Sequence, residues 1–273
     1  MGIFDGVLLV SDLDGTLFNQ SSEMTTENGE AIRQFISRGG RFTVATGRSL
    51  QGFKTVREGI PINPPAILAG GALVFDFAAQ TPLRTVPLSK GFLPLCHAAR
   101  SAFPNVAMEA HLVDGVWMLG ENEYALLHQQ IVNTRVTRAD TAADVPSGWL
   151  KALFIAPHEK LTELRDWMLP HCKGKYELVF SHPLLLEMQD ARAEKGESVS
   201  WLAWHLDIQH KHVYCAGDYQ NDLSMLRRFH SFAPKGAQME VRASAGHVGP
   251  SCDDHFIAWV ISQLALQYRE SSI

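Results

Sequence analysis

The sequence predicts an α/β fold in which a doubly wound, mostly parallel sheet carries an inserted α+β domain. Short apolar segments alternate with helical segments over residues 1–81, as expected for parallel strands joined by helices. The alternation stops over residues 82–188, where short strands follow one another closely, and it returns over residues 189–273. We therefore predict a core domain formed by residues 1–81 and 189–273, with residues 82–188 as a second domain inserted into it.

The first part of the predicted core contains three short strands separated by two helices. We predict the strands at residues 7–10, 42–45 and 66–69, and the helices at residues 26–38 and 46–59. Four consecutive apolar residues indicate a strand that is buried on both faces. Paired glycines end the first helix, and a proline-rich segment ends the second.

The inserted domain and the last part of the core complete the predicted order of elements. In the insert we predict helices at residues 89–102, 121–132 and 159–169 and strands at residues 106–110, 116–119, 152–156, 177–181 and 184–188. Closely spaced strands favour antiparallel pairing in hairpins. After the insert we predict a helix at residues 195–206, a strand at residues 213–216, a short helix to about residue 228, a strand near Phe232 and two final helices.

Composition and charge restrict the class of protein. The 273 residues are 46% hydrophobic and 19% charged, which is typical of a soluble globular protein. A net charge of −5 argues against a nucleic-acid partner, and no apolar segment is long enough to span a bilayer. The four cysteines are widely spaced and the first residues do not form a secretory signal, so we expect reduced thiols and a cytoplasmic location. We expect a monomer or a weak homodimer without nucleic-acid or membrane partners.

Two acids directly follow the first predicted strand. They are Asp12 and Asp14, and Gly15 and Thr16 come next. Carboxylates at the end of a buried strand are costly unless a partner neutralises them, and a divalent cation is the partner that we predict. The segment also fits an ordinary turn, because Asp and Gly favour turns for local backbone reasons. Taken alone, the segment leaves both interpretations open.

Four polar clusters follow strands or open helices of the predicted core. They are Asp12 and Asp14; Thr46, Gly47 and Arg48; Lys195; and Asp218, Asn221 and Asp222. In an open parallel sheet, the loops after the carboxyl ends of the strands share one edge, and ligands bind in the crevice there. We therefore expect the four clusters to form one site.

The chemistry of these clusters suits phosphoryl transfer. Asp12 and Asp218 are the carboxylates that we expect to bind Mg²⁺, which prefers a few carboxylates together with phosphate and water oxygens. The Thr46 hydroxyl and the Gly47 N–H suit an anion near a helix N-terminus. Lys195 adds a positive charge against the phosphate, and catalysis of phosphoryl transfer depends mainly on such charges and on positioning.

In their order and spacing, the four clusters resemble the four motifs of the haloacid dehalogenase (HAD) superfamily. The segments that resemble its Cof-type phosphatases are Ala45-Thr46-Gly47-Arg48, Leu186-Glu187-Met188, Glu194-Lys195-Gly196 and Gly217-Asp218-x-x-Asn221-Asp222. The insert is similar to the large α/β cap, of the C2B type, in these phosphatases. The resemblance covers essentially the whole chain and implies a Rossmann-like core with a cap domain.

The resemblance implies a role for each acid of the site. It implies that Asp12 attacks phosphorus and becomes an aspartyl phosphate, while Asp14 protonates the leaving alkoxide and then activates the hydrolytic water. It also implies that Mg²⁺ is bound by the side chains of Asp12 and Asp218 and by the main-chain carbonyl of Asp14. The resemblance further implies that Thr16 and Asp222 hold these acids in position without contacting the substrate.

Other residues would hold the phosphate and orient the charged groups. The phosphate-binding residues that the resemblance implies are Thr46, Gly47, Arg48, Lys195 and Asn221. Thr46 and Lys195 thereby count among the catalytic residues, and Asn221 and Asp222 orient metal-bound water or Lys195. Arg48 has a second interpretation, because an arginine at the start of a helix also pairs locally with an acid.

The chain departs from the Cof-type pattern at three places. Tyr219 stands where glycine is usual, Gly70-Gly71-Ala72 stands where Asn-Gly-Ala is usual, and Ala233-Pro234-Lys235-Gly236 stands where Ala-Met-x-Asn is typical. We expect the Tyr219 ring to narrow the site or to contact the substrate. With glycine at position 70, the polar side chain that is usual between core and cap is absent. These changes leave the predicted chemistry untouched but prevent us from naming the substrate.

We predict a Mg²⁺-dependent phosphatase that acts on a small phosphorylated metabolite. A sugar phosphate is the favoured class, because such caps commonly close over small polar metabolites. One alternative is a phosphotransferase or phosphomutase with the same intermediate. Another is a non-catalytic phosphate-binding or phospho-accepting regulatory protein, although Asp14 and the large insert speak against it. In the insert, Glu109, His111 and Trp117 either face the substrate or are ordinary hairpin residues.

Overall fold

The computed structural model describes residues 2–133, 135–172 and 174–270 of the chain. Its strands, in chain order, are β1 (Leu8–Ser11), β2 (Arg41–Val44), β3 (Ala66–Leu68), β4 (Leu73–Asp76), β5 (Thr81–Thr85), β6 (Ala107–His111), β7 (Val116–Leu119), β8 (Val136–Ala139), β9 (Lys151–Ile155), β10 (Tyr176–His182), β11 (Leu185–Asp190), β12 (Val213–Ala216), β13 (His230–Pro234) and β14 (His247–Gly249). Its helices are α1 (Thr26–Ser37), α2 (Leu50–Lys54), α3 (Phe92–Ala102), α4 (Glu123–Val132), α5 (His158–Cys172), α6 (Lys195–His205), α7 (Leu223–Leu226), α8 (Met239–Ser244) and α9 (Phe256–Glu270).

The core sheet has the strand order β14-β13-β12-β1-β2, and its strands are all parallel. Side chains of the central strand β1 alternate between the two faces. Leu9 belongs to a hydrophobic core that includes Phe35 of α1 and Val260 of α9. Leu8 belongs to the core on the opposite face, which includes Leu202 of α6. Helices therefore cover both faces, and the predicted α/β fold with a doubly wound, mostly parallel sheet is confirmed.

A small antiparallel sheet, β3-β4-β5, adjoins the end of β2. A parallel bridge between Ala45 and Ile67 connects the two sheets and fixes the start of the loop after β2. The predicted domain boundaries, between residues 81 and 82 and between residues 188 and 189, fall within β5 and β11. The division into core and cap domains stays a prediction.

A second large sheet, which we call the cap sheet, has the order β10-β11-β9-β6-β7-β8. Its pairs are antiparallel except for β7 with β8. Even-numbered residues of β6, β9 and β11, such as Met108, Phe154 and Met188, pack into the hydrophobic core that includes α3 and α5. Odd-numbered residues lie on the other face, where Leu153 packs with Ala125 of α4. This second face lies over the carboxyl ends of the core strands.

Most predicted elements are present within about three residues of their predicted ends. The second helix, predicted at residues 46–59, is an exception, because it begins at Leu50 after the N-cap Ser49 and ends at Lys54, and a 3₁₀ turn follows at Arg57–Gly59. Strands β4, β5, β8 and β14 have no counterpart in the sequence prediction. β8 is polar and largely exposed, and β14 has only three residues, so neither produces a clear apolar pattern. None of the described helices is long and apolar enough to cross a membrane.

Candidate active site

The predicted polar clusters meet at one end of a cavity between the core sheet and the cap sheet. The cavity has a volume of about 480 Å³. The cluster residues that line it are Asp12, Asp14, Thr46, Gly47, Arg48, Asp218 and Asn221. Lys195, Thr16 and Asp222 lie directly behind this lining, and each is hydrogen-bonded to one of its acids. The structure thus brings together all the residues that the sequence analysis assigns to the site.

Lys195 lies between two buried carboxylates at the start of α6. Its Nζ is 2.6 Å from Oδ1 of Asp12 and 2.5 Å from Oδ1 of Asp222. Burial alone would lower the pKa of Lys195, but the two carboxylates raise it above its ordinary value, so the ammonium keeps its proton. Asp12 is fixed through its backbone as well, because its N–H donates to the carbonyl of Ala216 at the end of β12, at 2.8 Å.

Asp218 is fixed by contacts with the loop after β1 and with Asp222 in its own loop. Its Oδ1 accepts a hydrogen bond of 2.8 Å from the Thr16 hydroxyl, and its N–H donates to Oδ2 of Asp222 at 2.9 Å. Gly15 permits this arrangement, because its φ is +84° and a Cβ there would lie 2.6 Å from Oδ2 of Asp218. Burial and the charge of Asp222 raise the pKa of Asp218 to about 7.

The carboxylates of Asp12, Asp218 and Asp222 form a group with excess negative charge. One oxygen of each lies within 4.8 Å of the others, and among the described residues the cation that contacts the group is Lys195. Burial and the charge of Asp222 raise the pKa of Asp12 well above its ordinary value. A divalent cation beside Asp12 and Asp218 would neutralise this charge, and carboxylate oxygens are ligands that hard cations prefer. The donor set therefore fits the predicted metal.

The loop after β2 holds Thr46 in the lining of the cavity. The Thr46 N–H donates to the carbonyl of Ile67, and the Thr46 carbonyl accepts from the N–H of Gly70, both at 3.0 Å. The side-chain oxygen of Thr46 accepts a hydrogen bond of 3.1 Å from the backbone N–H of Arg48. Because this oxygen already accepts a hydrogen bond, the hydroxyl proton can be donated to an anion in the cavity.

Arg48 and Asp14 form a bidentate ion pair at the edge of the site. Nε and Nη2 of Arg48 lie 2.9 and 2.6 Å from the two carboxylate oxygens of Asp14. The Arg48 side chain is 8% exposed, whereas that of Asp14 is 50% exposed. This geometry agrees with the interpretation of Arg48 as the local partner of an acid. Because Arg48 also lines the cavity, its predicted contact with substrate stays a prediction.

The cap sheet closes the other end of the cavity with polar side chains from odd-numbered positions. Glu109, His111, Lys151 and Glu187 are all buried and line the cavity. Nε2 of His111 lies 2.9 Å from Oε2 of Glu109, and this contact lowers the pKa of Glu109 although burial opposes the shift. Trp117 packs instead against the hydrophobic core on the opposite face of the cap sheet, which includes α3 and α5. Two of the three hairpin residues considered above therefore face the cavity.

An apolar wall lies beside these polar groups. It is formed by residues of α4 and of the β10–β11 hairpin, namely Tyr124, Leu127, Ile131, Val132, Leu184 and Leu185. Two of these side chains are exposed, since Leu127 is 48% and Ile131 is 61% exposed. The cap end of the cavity therefore offers both apolar surface and charged groups to a ligand.

Lys151 and Glu187 line the site, but the sequence analysis assigns a role to neither, although Glu187 lies in the Leu186-Glu187-Met188 segment. The Lys151 Nζ is 2.8 Å from Oε1 of Glu187 and 2.6 Å from the carbonyl oxygen of Gly47, so it joins the cap sheet to the loop of the core. A signal for them exists in the sequence, because Lys151 directly precedes the apolar segment 152–156 and Glu187 is the charged residue of the otherwise apolar segment 184–188. A charge on a buried strand requires a partner.

The family of the chain follows from a comparison with known proteins. The family model of haloacid dehalogenase-like hydrolases matches residues 9–261. The chain belongs to the haloacid dehalogenase-like hydrolase family. The predicted superfamily is thereby confirmed.

Relatives of this haloacid dehalogenase-like hydrolase include named phosphatases. The HMP-PP phosphatase of Yersinia enterocolitica is 28% identical over 222 residues, which are 81% of this chain and 80% of that protein. The 5-amino-6-(5-phospho-D-ribitylamino)uracil phosphatase YwtE of Bacillus subtilis is 24% identical, over 93% of this chain and 96% of that protein. The family and these relatives confirm the predicted enzyme class, a phosphoric monoester hydrolase.

A solved structure shares the fold of this hydrolase. The sugar phosphatase BT4131, of HAD subclass IIB, superposes with a TM-score of 0.83, covering 95% of this chain and 99% of that chain. The two sequences are 17% identical, so the similarity shows the fold alone. It confirms the core with an additional cap sheet.

The structure accounts for two of the departures of this hydrolase from the Cof-type pattern. A Cβ at Gly70, where φ is +69°, would lie 2.4 Å from Oε1 of Gln189 and 3.1 Å from Oε2 of Glu187. Polar side chains of the cap therefore occupy the space that an asparagine at this position would need. The ring of Tyr219 packs against the hydrophobic cluster of the cap that includes α3 and α5. It therefore adds a contact between the core domain and the cap. Pro234 ends β13, where it pairs with Gly249 of β14.

Proposed function

We propose that this hydrolase is a Mg²⁺-dependent phosphatase that cleaves a small phosphomonoester through an aspartyl-phosphate intermediate. The observation that carries the proposal is the position of the Asp12 carboxylate, 2.6 Å from Lys195, at the core end of a cavity that Asp14 and Thr46 also line. A nucleophile, a proton donor and groups that bind phosphate thus lie together. The phosphatase names of the relatives support the proposal.

In the first step, a carboxylate oxygen of Asp12 attacks phosphorus while the bond from phosphorus to the ester oxygen breaks. Asp14 gives a proton to the departing oxygen, and when Asp14 carries this proton, one of its two hydrogen bonds with Arg48 opens while the other holds the group in place. In the second step, Asp14 takes a proton from water, which attacks phosphorus and releases Asp12 and inorganic phosphate. A metal ion bound to Asp12, Asp218 and the Asp14 carbonyl would supply positive charge against the phosphate oxygens.

The phosphate lies at the core end of the cavity in this proposal. The Thr46 hydroxyl, the Gly47 N–H, Lys195 and Asn221 bind its oxygens, with Thr46 already oriented by its backbone hydrogen bonds. Charges that are fixed before the reaction stabilise the transition state without reorganisation. Asp222, which lies behind the cavity lining, holds Lys195 in place: its Oδ1 is 2.5 Å from Nζ of Lys195.

The leaving group lies at the cap end of the cavity. A volume of about 480 Å³ suits a small metabolite, and the polar groups there, such as Glu109 and His111, are able to hydrogen-bond the hydroxyls of a sugar phosphate. The cap sheet would exclude water from the reaction. The cytoplasmic location and the monomer or weak homodimer predicted from the sequence belong to the same proposal.

The test is the hydrolysis of an aryl phosphate, p-nitrophenyl phosphate, with and without Mg²⁺. We expect turnover with Mg²⁺, loss of turnover in EDTA, and an inactive Asp12→Asn variant. Asp166→Asn, on the exposed side of α5, is the matched control and should retain activity. Equal turnover in EDTA, or an active Asp12→Asn variant, would contradict the mechanism. Transfer of phosphate to an added alcohol, in place of its release, would instead identify a phosphotransferase.

A further inference from the structure

A continuous series of contacts runs from the cap sheet to the hydroxyl of Thr46. Glu187 binds the Lys151 Nζ at 2.8 Å, and the same Nζ donates to the carbonyl of Gly47 at 2.6 Å. The peptide unit that carries this carbonyl also carries the N–H of Arg48, which donates to the Thr46 Oγ1 at 3.1 Å. A single peptide plane therefore joins the ammonium of the cap to the phosphate-binding side chain of the core.

The position of the Lys151 ammonium is fixed by its surroundings. Lys151 is 1% exposed and Glu187 is 4% exposed, so both charges are removed from bulk water. The Glu187 carboxylate lies against two glycines of the core, since a Cβ at Gly47 would be 2.9 Å from its Oε1 and a Cβ at Gly70 would be 3.1 Å from its Oε2. A buried charge held in this way has no alternative partner in water.

The peptide plane between Gly47 and Arg48 matters because rotation would move both of its polar groups. If the carbonyl of Gly47 turned away from Lys151, the N–H of Arg48 would turn away from Thr46. The Thr46 oxygen would then lose its donor, and its hydroxyl proton would no longer be directed to the phosphate. An unconstrained hydroxyl rotates to suit its surroundings.

We propose that Lys151 is a positioning residue through which the cap sheet orients the Thr46 hydroxyl for phosphate binding. Lys151 acts through the Gly47–Arg48 peptide and does not itself contact the reacting phosphate. The inference rests on the proposed phosphatase function and adds a cap residue to its phosphate site. Phosphate binding and turnover therefore depend on the docking of the cap against the loop after β2.

The decisive comparison is between Glu187→Gln and the double variant Lys151→Met/Glu187→Gln. The single variant removes one charge of the pair but keeps the Lys151 ammonium against the Gly47 carbonyl. The double variant removes both charges together, so that no unpaired buried charge is left to unfold the protein. The difference between them reports the contact with Gly47. Arg138→Met removes an exposed ion pair with Glu121 on the same cap sheet and controls for changes elsewhere in the cap.

We expect the double variant to lose roughly tenfold in kcat/KM for p-nitrophenyl phosphate and in affinity for inorganic phosphate as inhibitor, relative to Glu187→Gln. Arg138→Met should match the wild type in both. Equal phosphate affinity in the double variant and in Glu187→Gln would overturn the inference. Circular dichroism and urea unfolding of each variant establish that the compared proteins are folded.

A double-mutant cycle with Thr46→Val separates positioning from a general loss of structure. If Lys151 acts through the Thr46 hydroxyl, its removal should cost little once that hydroxyl is gone. An undiminished tenfold loss in the Thr46→Val background would show that Lys151 acts by another route and would overturn the inference. The wild-type assay distinguishes the two proposals, because an inactive wild type contradicts the phosphatase function, whereas an active wild type with insensitive variants contradicts only the role of Lys151.

Discussion

Arg48 holds both carboxylate oxygens of Asp14, through Nε at 2.9 Å and Nη2 at 2.6 Å. The Asp14 side chain is half exposed and would otherwise sample several rotamers. A guanidinium with two parallel donors fixes the plane of the carboxylate as well as its position. In the proposed mechanism, this plane determines how the carboxyl proton approaches the oxygen of the leaving group.

Arg48→Lys tests this relationship, because lysine keeps the charge but cannot form the bidentate contact. We expect kcat for an alkyl phosphate to fall roughly tenfold, since a misplaced general acid protonates a poor leaving group inefficiently. The fall should be smaller for p-nitrophenyl phosphate, whose leaving group needs little protonation. Inhibition by inorganic phosphate should change little. A large loss of phosphate affinity would favour the alternative, in which Arg48 binds the substrate directly.

Gly15→Ala should weaken metal binding. The new Cβ would lie 2.6 Å from Oδ2 of Asp218, and the backbone φ of +84° is strained for alanine. We expect a higher Mg²⁺ concentration for half-maximal activity and a loss of about 1–2 kcal/mol in the free energy of unfolding. Gly6→Ala is a matched control, because its φ is +77° and its Cβ would meet nothing within 4 Å. If both variants shifted the Mg²⁺ requirement equally, the contact with Asp218 would not be the cause.

Asp222→Asn should destabilise the fold as well as reduce activity. The Asp222 carboxylate is fully buried, binds Lys195 at 2.5 Å, and accepts hydrogen bonds from the N–H groups of Asp218 and Tyr219. Removing one partner of a buried ion pair costs about 3 kcal/mol or more, which urea unfolding in EDTA would measure. Glu240→Gln removes an exposed pair with Arg227 and should cost less than about 1 kcal/mol. Equal losses in the two variants would be evidence against this role of Asp222.

The Lys151–Glu187 pair should contribute to the acid limb of the stability profile. Burial alone would raise the pKa of Glu187, but the Lys151 ammonium lowers it below its ordinary value of 4.5. The folded protein therefore binds this proton less tightly than the unfolded chain. The stabilisation is fully present above about pH 4.5 and is lost as the pH falls through the lower folded-state pKa.

Glu187→Gln should accordingly flatten the decrease in the free energy of unfolding between about pH 5 and pH 3. Glu163→Gln, which removes an exposed partner of Lys160, should leave that slope unchanged. Urea titrations at intervals of pH provide the measurement. An unchanged slope in Glu187→Gln would mean that the pair titrates alike in the folded and unfolded states.

Much of the core and its cluster of polar residues follows from local sequence. Asp12, Thr46 and Asp218 each come soon after a strand that is buried on both faces, and parallel strands deliver such positions to one edge. An apolar run marks the strand, and the polar residues after it mark its end. These signals are contained within a few residues each, so a single sequence is sufficient to identify them.

The contacts between core and cap could not be predicted in this way. Lys151 and Glu187 belong to different strands of the cap sheet, and their meeting with Gly47 depends on how that sheet docks against the core. No local pattern records such a contact. The bidentate pair of Arg48 with Asp14 is similar, because the sequence offers two interpretations of an arginine at a helix start and only the three-dimensional arrangement shows which contact forms.

The contact between Gln189 and Gly70 has a consequence for exchanging domains between enzymes of this architecture. A recipient core with asparagine in place of Gly70 would bring a Cβ to 2.4 Å from Oε1 of Gln189, so the end of the Gln189 side chain would have to move. A chimera that receives this cap sheet therefore keeps the present position of Gln189 only if it also receives glycine at that core position. The unit of modular exchange is larger than the inserted segment and includes the short turn between β3 and β4.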